Sequence, residues 1–361
     1  MTVARVVATE PRPPVEQARA DLLAAFVDEL NRSEIAYCLL SGYHGFPQAE
    51  GSDVDFMVRP ADAARIQPLM QSVARRCGAL LVQAIQHETG AWYFALAKQI
   101  GDEVAYLHPD CTTDYRRNGR LWLRAEKLLA GRRRLPEFWA PAAADEFEYY
   151  LIKKVLKQHI EPDQLQRLRQ LYLCNPAECS ARMRRIWPAH SVGAIVSTLL
   201  SNNVARMRSQ LPRLLRELQA SKPLERQARR AMQFLREWRR WLRRMLRPTG
   251  MGIAVCGGSQ RQRSDFAAGL EARLRPAFRR TRVVDSAGPS AAVRHWLERV
   301  RSTLVIRTLA AERGPDFGGE QVVLHLQPDE QPDLDLATQV VLAGMANRVM
   351  ARQPNRQPNQ G

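Results

Sequence analysis

Apolar positions Ala18, Leu22, Leu23, Phe26, Val27 and Leu30 recur at helical spacing, so a helix is expected from about Val15 to Arg32. The β-rich run Ile35 to Leu40 follows as a buried strand, and the turn-prone stretch GYHGFPQAEGS separates it from a second strand, Val54 to Val58. ADAARIQPLMQSVARRCGA is amphipathic and reads as a helix, and strands resume at Ala79 to Val82, Trp92 to Ala97 and Val104 to Leu107. That mixture predicts an α+β domain built on one sheet over residues 16–141.

The pattern then changes. From DEFEYYLIKKVLKQHI to LREWRRWLRRMLR the chain keeps a helical period, which gives a helical segment over 142–248 that closes at Pro248 and Gly250. Beyond it, GIAVC, TRVVD, TLVIR and QVVLHL are short apolar strands set between polar or helical stretches, the signature of a parallel sheet with crossovers. A small α/β domain is therefore expected at 249–350. Residues 1–15, with three prolines, and 351–361, with RQPNRQPNQG, carry too little apolar surface to order themselves and read as disordered tails.

Charge adds a preference for polyanions. The 361 residues carry 54 Lys+Arg against 37 Asp+Glu, a formal +17, enough to attract nucleotides, nucleic acid or acidic lipid without choosing among them. No run of 18 apolar residues is present, so the expected location is cytoplasmic, with peripheral attachment at the inner membrane open. Six cysteines without CxxC spacing and seven histidines without HxH or HxxxH spacing indicate neither a zinc site nor a disulfide framework.

Two features carry chemistry. Asp53 and Asp55 are one residue apart on a predicted strand, so a period of two puts both carboxylates on one face, where a shared cation such as Mg²⁺ would relieve their repulsion. Two solvated aspartates at a strand edge satisfy the same spacing. Between Phe234 and Leu246, Trp238 and Trp241 fall on the apolar side of a helix whose other side is arginine. Such a helix either lies on an anionic membrane surface or packs its apolar face inward and leaves a solvated basic face. Lys153, Lys154 and Lys157 either approach a triphosphate or form another solvated face.

An apolar strand, then Ser41-Gly42, then Gly51-Ser52-Asp53-Val54-Asp55, resembles the nucleotidyltransferase superfamily. The resemblance implies that Ser41, Gly42, Tyr43 and Ser52 lie at the nucleotide phosphates. It also implies that Asp53 and Asp55, with a third acid from a later strand, bind Mg²⁺ and catalyse the transfer. Asp110, directly after the strand Val104 to His108, is the expected third acid, and Asp114 is its rival. Ser41-Gly42-Tyr43 departs from the family's Gly-then-Ser order.

Over most of its length the chain also resembles proteins of bacterial exopolysaccharide gene clusters, through CLLSGYHGFPQAEGSDVDFMV, HPDCTTDYRRNGRLW, EFEYYLIKKVLKQHI and RPTGMGIAVCGGS. These join a nucleotidyltransferase-like half to a thymidylate-kinase-like half. In the second half the phosphate loop G-x-x-x-x-G-K-[ST] becomes Gly257-Gly258-Ser259-Gln260-Arg261-Gln262-Arg263-Ser264, with Gln for the second Gly and Arg for Lys. Gly257, Arg263 and Ser264 are what remains for phosphate, and loss of kinase activity is expected. The resemblance implies transfer of a nucleoside monophosphate from an NTP to an unknown acceptor. The alternative is a non-catalytic scaffold that binds nucleotide, exopolysaccharide assembly proteins or an anionic membrane surface. Nucleic acid is the weaker partner, because no stacking motif or reading helix accompanies the charge.

Overall fold

The computed structural model describes residues 13–351 apart from 49–50, 118–119, 222–226, 247, 279, 285–296, 299, 301–302, 310–321 and 328–331. Both predicted tails lie essentially outside the described residues.

The first unit begins with α1 (Pro14–Arg32), whose last turn gives way to extended backbone at Ser33, and continues through β1 (Tyr37–Leu39), β2 (Asp53–Val58) and α2 (Ala63–Arg76). Three long strands follow, β3 (Leu80–Glu88), β4 (Ala91–Ile100) and β5 (Glu103–Thr112). They form one five-stranded sheet in the order β1-β2-β5-β4-β3, antiparallel throughout except that β2 runs parallel to β5.

These three strands are longer than their apolar runs. At the hairpin end, Gln83 to Glu88 bring in polar side chains, which ends the apolar signal while the backbone ladder continues to Glu88↔Ala91. For the same reason β5 runs on through Asp110 to Thr112, so Asp110 lies within the strand and not beyond its end.

A hairpin of β6 (Tyr115–Arg117) and β7 (Arg120–Leu123) leads to α3 (Ala125–Ala130), and the short pair β8 (Arg133–Arg134) and β9 (Trp139–Ala140) closes this part. The middle is helical: α4 (Ala143–Lys157), α5 (Pro162–Cys174), α6 (Pro176–Arg184), α7 (Ala189–Ser201), α8 (Val204–Ser221) and α9 (Gln227–Leu246). Local signals set several of the starts. Glu161 and Gln164 form a capping box at α5, and Asn175 accepts a hydrogen bond from the backbone N–H of Glu178 at α6.

The last unit comprises β10 (Met251–Gly257), α10 (Gln260–Leu274), β11 (Arg280–Val284), β12 (Thr303–Leu309), β13 (Val322–Leu326) and α11 (Leu334–Ala351). Its sheet is parallel in every pairing, in the order β11-β12-β10-β13. β10 is central and buried on both faces, as its unbroken apolar run requires.

Three cores hold these parts together. Leu22, Phe26 and Leu30 of α1 and Met70 and Val73 of α2 cover one face of the first sheet through Val54, Phe56 and Leu107. The opposite face is divided. Towards β1, Cys38, Leu40 and Met57 join Trp122, Phe147 and the helices α4 to α8. Towards β3, Val82, Ala95, Ala97 and Tyr106 join Phe266 and Leu270 of α10 and Val341 and Met345 of α11. Between the two contacts, the ends of β2 and β5 turn acidic side chains outward.

Tyr106 ties the two sheets together, because its ring lies in their common core while its hydroxyl donates to the carbonyl of Arg273 at 2.9 Å. Tyr106→Phe is expected to cost about 1 kcal/mol in urea unfolding, and Tyr106→Ala about 3–5 kcal/mol, since it also empties the ring site. Equal, negligible losses from both would show that the sheets are not joined there.

Candidate active site

The site begins at a turn that only glycine fits. Gly42 has φ +78, and a Cβ there would meet the carbonyl oxygen of Asp53 at 2.1 Å. The turn thus lies directly on β2, with the Leu40 N–H donating to the Asp55 carbonyl at 2.8 Å.

Parallel pairing of β2 and β5 sets Asp55 opposite Asp110 and Asp53 opposite His108. With side chains alternating along each strand, these four share the face that lies open between the second and third cores. The structure therefore brings Asp55 and Asp110 together across one ladder rung.

Asp55 is not a bare carboxylate. The Lys153 ammonium, carried by α4, lies 2.5 Å from its Oδ2, and the Ser41 hydroxyl donates to the same oxygen. Burial alone would raise the Asp55 pKa, but the ammonium and the hydroxyl outweigh it and hold the group below the usual carboxylate range. Lys153 is raised in turn: burial works against it, and the neighbouring Tyr149 and Asp55 oxygens prevail. Asp110 is pushed up to about 7, by burial first and then by the Asp55 charge, with Lys153 only partly offsetting them. His87 Nε2 stands 3.8 Å from Asp110 Oδ1.

Asp53 points elsewhere. Its side chain is 87% exposed, and Oδ1 lies 3.3 Å from Nδ1 of His108, a ring that also meets the Ser52 hydroxyl at 2.9 Å and sits between Tyr93 and Tyr106. The other expected residues separate by role. Tyr43 is buried, donates to Glu146 at 2.6 Å and accepts from Arg167 at 2.9 Å, which makes it an anchor between the turn and the helical segment. Asp114 accepts from the backbone N–H of Ala125 at 3.1 Å and pairs with Arg116 at 3.2 Å, so it fixes the start of α3.

Sequence reasoning named Lys153 only as one of three lysines that either approach a triphosphate or form a solvated face, and left His108 without a role in the site. His108 was within reach of it, because it stands two residues before Asp110 on one strand and so shares its face. The pairing of Lys153 with Asp55 was not: nothing local relates a helix residue to a strand residue 98 positions away. Lys154 proves to be buried over the Tyr150 ring, and its pKa falls to about 8 through burial and the neighbouring Lys153.

The glycine turn at Gly257 is closed upon itself. Gly257 has φ +76, and a Cβ there would lie 2.2 Å from the Leu326 carbonyl oxygen, so the turn keeps its tight form. Gln262 then fills the helix start: its Oε1 accepts from the Ser259 N–H at 2.8 Å, while the Ser259 hydroxyl accepts from the Gln262 N–H at 3.2 Å. Arg263 is buried and turns back to donate to the carbonyls of Gly257 at 3.2 Å and Gly258 at 2.6 Å. Ser264 is exposed on α10. Ser259 and Gln262 thus hold two of the backbone donors at the α10 start, their own N–H groups, and the residue in the lysine position serves the loop itself.

Among the described residues, no three His, Cys, Asp or Glu side chains are gathered closely enough to hold a metal ion by themselves. The donor chemistry at Asp55 and Asp110 nevertheless fits Mg²⁺, which uses one or two carboxylates and completes its shell with water and substrate phosphates. Burial first, and the Asp55 charge second, raise Asp110, and a cation between the two carboxylates would oppose both.

No protein-family model matches the chain, and no curated protein does. A solved structure, the solution structure of the antibiotic-resistance factor ANT(2'')-Ia with its substrate-regulated conformation dynamics, aligns over 54% of this chain and 98% of its own. The identity is 10% and the TM-score 0.29, a likeness that bears on neither fold nor function.

The Asp110 shift makes stability depend on pH. Its pKa rises from 3.8 to about 7 on folding, so between those values the folded chain keeps a proton that the unfolded chain releases. Stability from this group is therefore present at low pH, is lost as pH climbs through that window, and is fully lost above it. In chelator, Asp110→Asn is expected to melt higher than the wild type at about pH 8 and to match it at about pH 4. The same change at both pH values would refute the assignment.

Proposed function

We propose that the first unit is a nucleotidyltransferase that moves a nucleoside monophosphate from an NTP to a hydroxyl or phosphate acceptor in exopolysaccharide assembly. The observation that carries this reading is the pairing of Asp55 with Asp110 on neighbouring parallel strands, beside a glycine turn whose backbone lies against β2. In the reaction the acceptor oxygen bonds to the α-phosphorus, the bond from that phosphorus to the bridging oxygen breaks, and pyrophosphate leaves.

Asp55 and Asp110 would hold Mg²⁺, which supplies charge stabilisation for the phosphates when bound. Asp110 would also orient or deprotonate the acceptor hydroxyl. Lys153 balances Asp55 in the cation-free chain and presents an ammonium at the place where triphosphate charge arrives. Ser41 fixes the rotamer of Asp55 through its hydroxyl. Asp53, exposed beside His108, lies outside the Asp55–Asp110 pair.

The second unit has a different role. The capping box of Ser259 and Gln262 and the inward turn of Arg263 support a unit, kinase-like by its resemblance, that performs no phosphoryl transfer and instead braces the first sheet through α10 and α11. A scaffold reading of this half rests on that self-contained loop.

Binding of labelled NTPs tests both statements. Mg²⁺-dependent binding is expected, with at least a tenfold loss for Asp55→Asn and for Asp110→Asn and none for Arg263→Ala. Absence of binding, or binding indifferent to Asp55→Asn, would overturn the transferase reading. A loss confined to Arg263→Ala would move the nucleotide to the second unit.

A further inference from the structure

Helix α9 is docked the wrong way round for a helix that belongs to a core. It meets the first unit with polar side chains: Glu237 accepts from the Thr89 hydroxyl, and Arg240 pairs with Glu237 and donates to the carbonyls of Gln86, at 3.3 Å, and His87. These contacts lie at the β3–β4 hairpin. Phe234, Leu235, Trp238, Trp241, Leu242 and Leu246 fall on a different arc of the helix, with exposures of 72, 58, 51, 51, 38 and 75%. Their spacing makes a continuous stripe along a helix of 20 residues, about 30 Å long. Single exposed apolar residues are ordinary on a surface; six large ones in one stripe are not.

We propose that this stripe lies in the surface of a lipid bilayer that carries acidic headgroups. Charge selects the occupant. Between residues 227 and 247 the chain has eight arginines and one acid, and that acid, Glu237, is already held by Thr89 and Arg240. A second copy packed stripe to stripe would bring two such arginine sets together with no acid left to separate them. A nucleic acid would meet arginines but would leave an outward row of phenylalanine, leucine and tryptophan in water.

A bilayer with acidic headgroups satisfies both parts: the stripe sinks to the acyl boundary, and the exposed Arg239 and Arg243 beside it lie among the headgroups. Two tryptophans suit that interface, where an apolar ring and a polar N–H are both accommodated. Attachment would be peripheral, because no helix among the described residues is long and apolar enough to cross a membrane.

Vesicle flotation of the full chain tests the proposal, with vesicles of phosphatidylcholine alone and of phosphatidylcholine mixed with phosphatidylglycerol. The wild type is expected to float with the acidic vesicles only, and less at high salt. Arg239→Gln with Arg243→Gln is expected to lower partitioning about thirty-fold, the effect of two charges at an acidic surface. Trp238→Ala with Trp241→Ala is expected to lower it at least tenfold. Both variants change exposed side chains, so circular dichroism and melting should match the wild type. Failure of the wild type to bind acidic vesicles would overturn the proposal, as would tryptophan variants that float unchanged. So would a dimer dispersed by the tryptophan changes, or tryptophan-independent binding of an oligonucleotide, if either occurred without vesicle binding.

Discussion

The pairing of β2 with β5 is the constraint on which the site depends. Two parallel strands in register place Asp55 beside Asp110, and the period of two along each adds Asp53 and His108 to the same face. Holding carboxylates this close in a part-buried setting is costly, and the strain is divided unequally. Asp55 stays ionised because Lys153 and Ser41 contact the same oxygen; Asp110, without such a contact from Lys153, retains a proton up to about pH 7. Burial of Asp110, together with the ammonium and hydroxyl on Asp55, therefore gives two paired acids different chemistry.

Lys153 can act this way only because α4 is fixed. Phe147, Leu151, Ile152 and Val155 bind that helix into the core that also takes in Cys38, Leu40 and Met57 from the first sheet. Tyr43 adds a polar tie, joining the Ser41-Gly42 turn to Glu146 on α4 and to Arg167 on α5. The helical segment is thus the mount of one of the site's charges. On the other flank, α10 and α11 pack against Ala95, Ala97 and Tyr106, which leaves the acidic ends of β2 and β5 in the gap between two covered areas.

Much of this arrangement was legible, and the limits follow from physics. Alternation alone put Asp53 and Asp55 on one face, and four apolar runs of the last unit announced a parallel sheet that the pairings show. The ends of β3, β4 and β5 were not legible, because polar residues continue a ladder that backbone hydrogen bonds sustain without apolar side chains. Lys153 was legible as one of three lysines that could approach a triphosphate, but its pairing with Asp55 was not, because that partner is a tertiary neighbour. Helix α9 was legible as amphipathic but not in its orientation. Period reports that two faces differ, while Glu237 and Arg240, by binding the β3–β4 hairpin, decided which face turns outward.

Gly42 and Gly257 show why a glycine turn cannot be taken as a ligand site without its surroundings. Both have positive φ, and in both a Cβ would press on a neighbouring carbonyl oxygen, Asp53 in one and Leu326 in the other. Steric demand is thus the same at each and is fully explained by the chain's own backbone. What differs is where the polar groups next to the turn are directed. Beside Gly42, Ser41 and Lys153 converge on the Asp55 carboxylate, across the rung from Asp110; beside Gly257, Gln262 accepts from the loop's Ser259 N–H and Arg263 donates to the loop's own carbonyls. Net hydrogen-bond energies are small, but a buried group left unpaired is costly, so a loop that satisfies itself resists giving up those partners to a phosphate. The two turns are alike in backbone and opposite in availability, and only the side chains around them carry that difference.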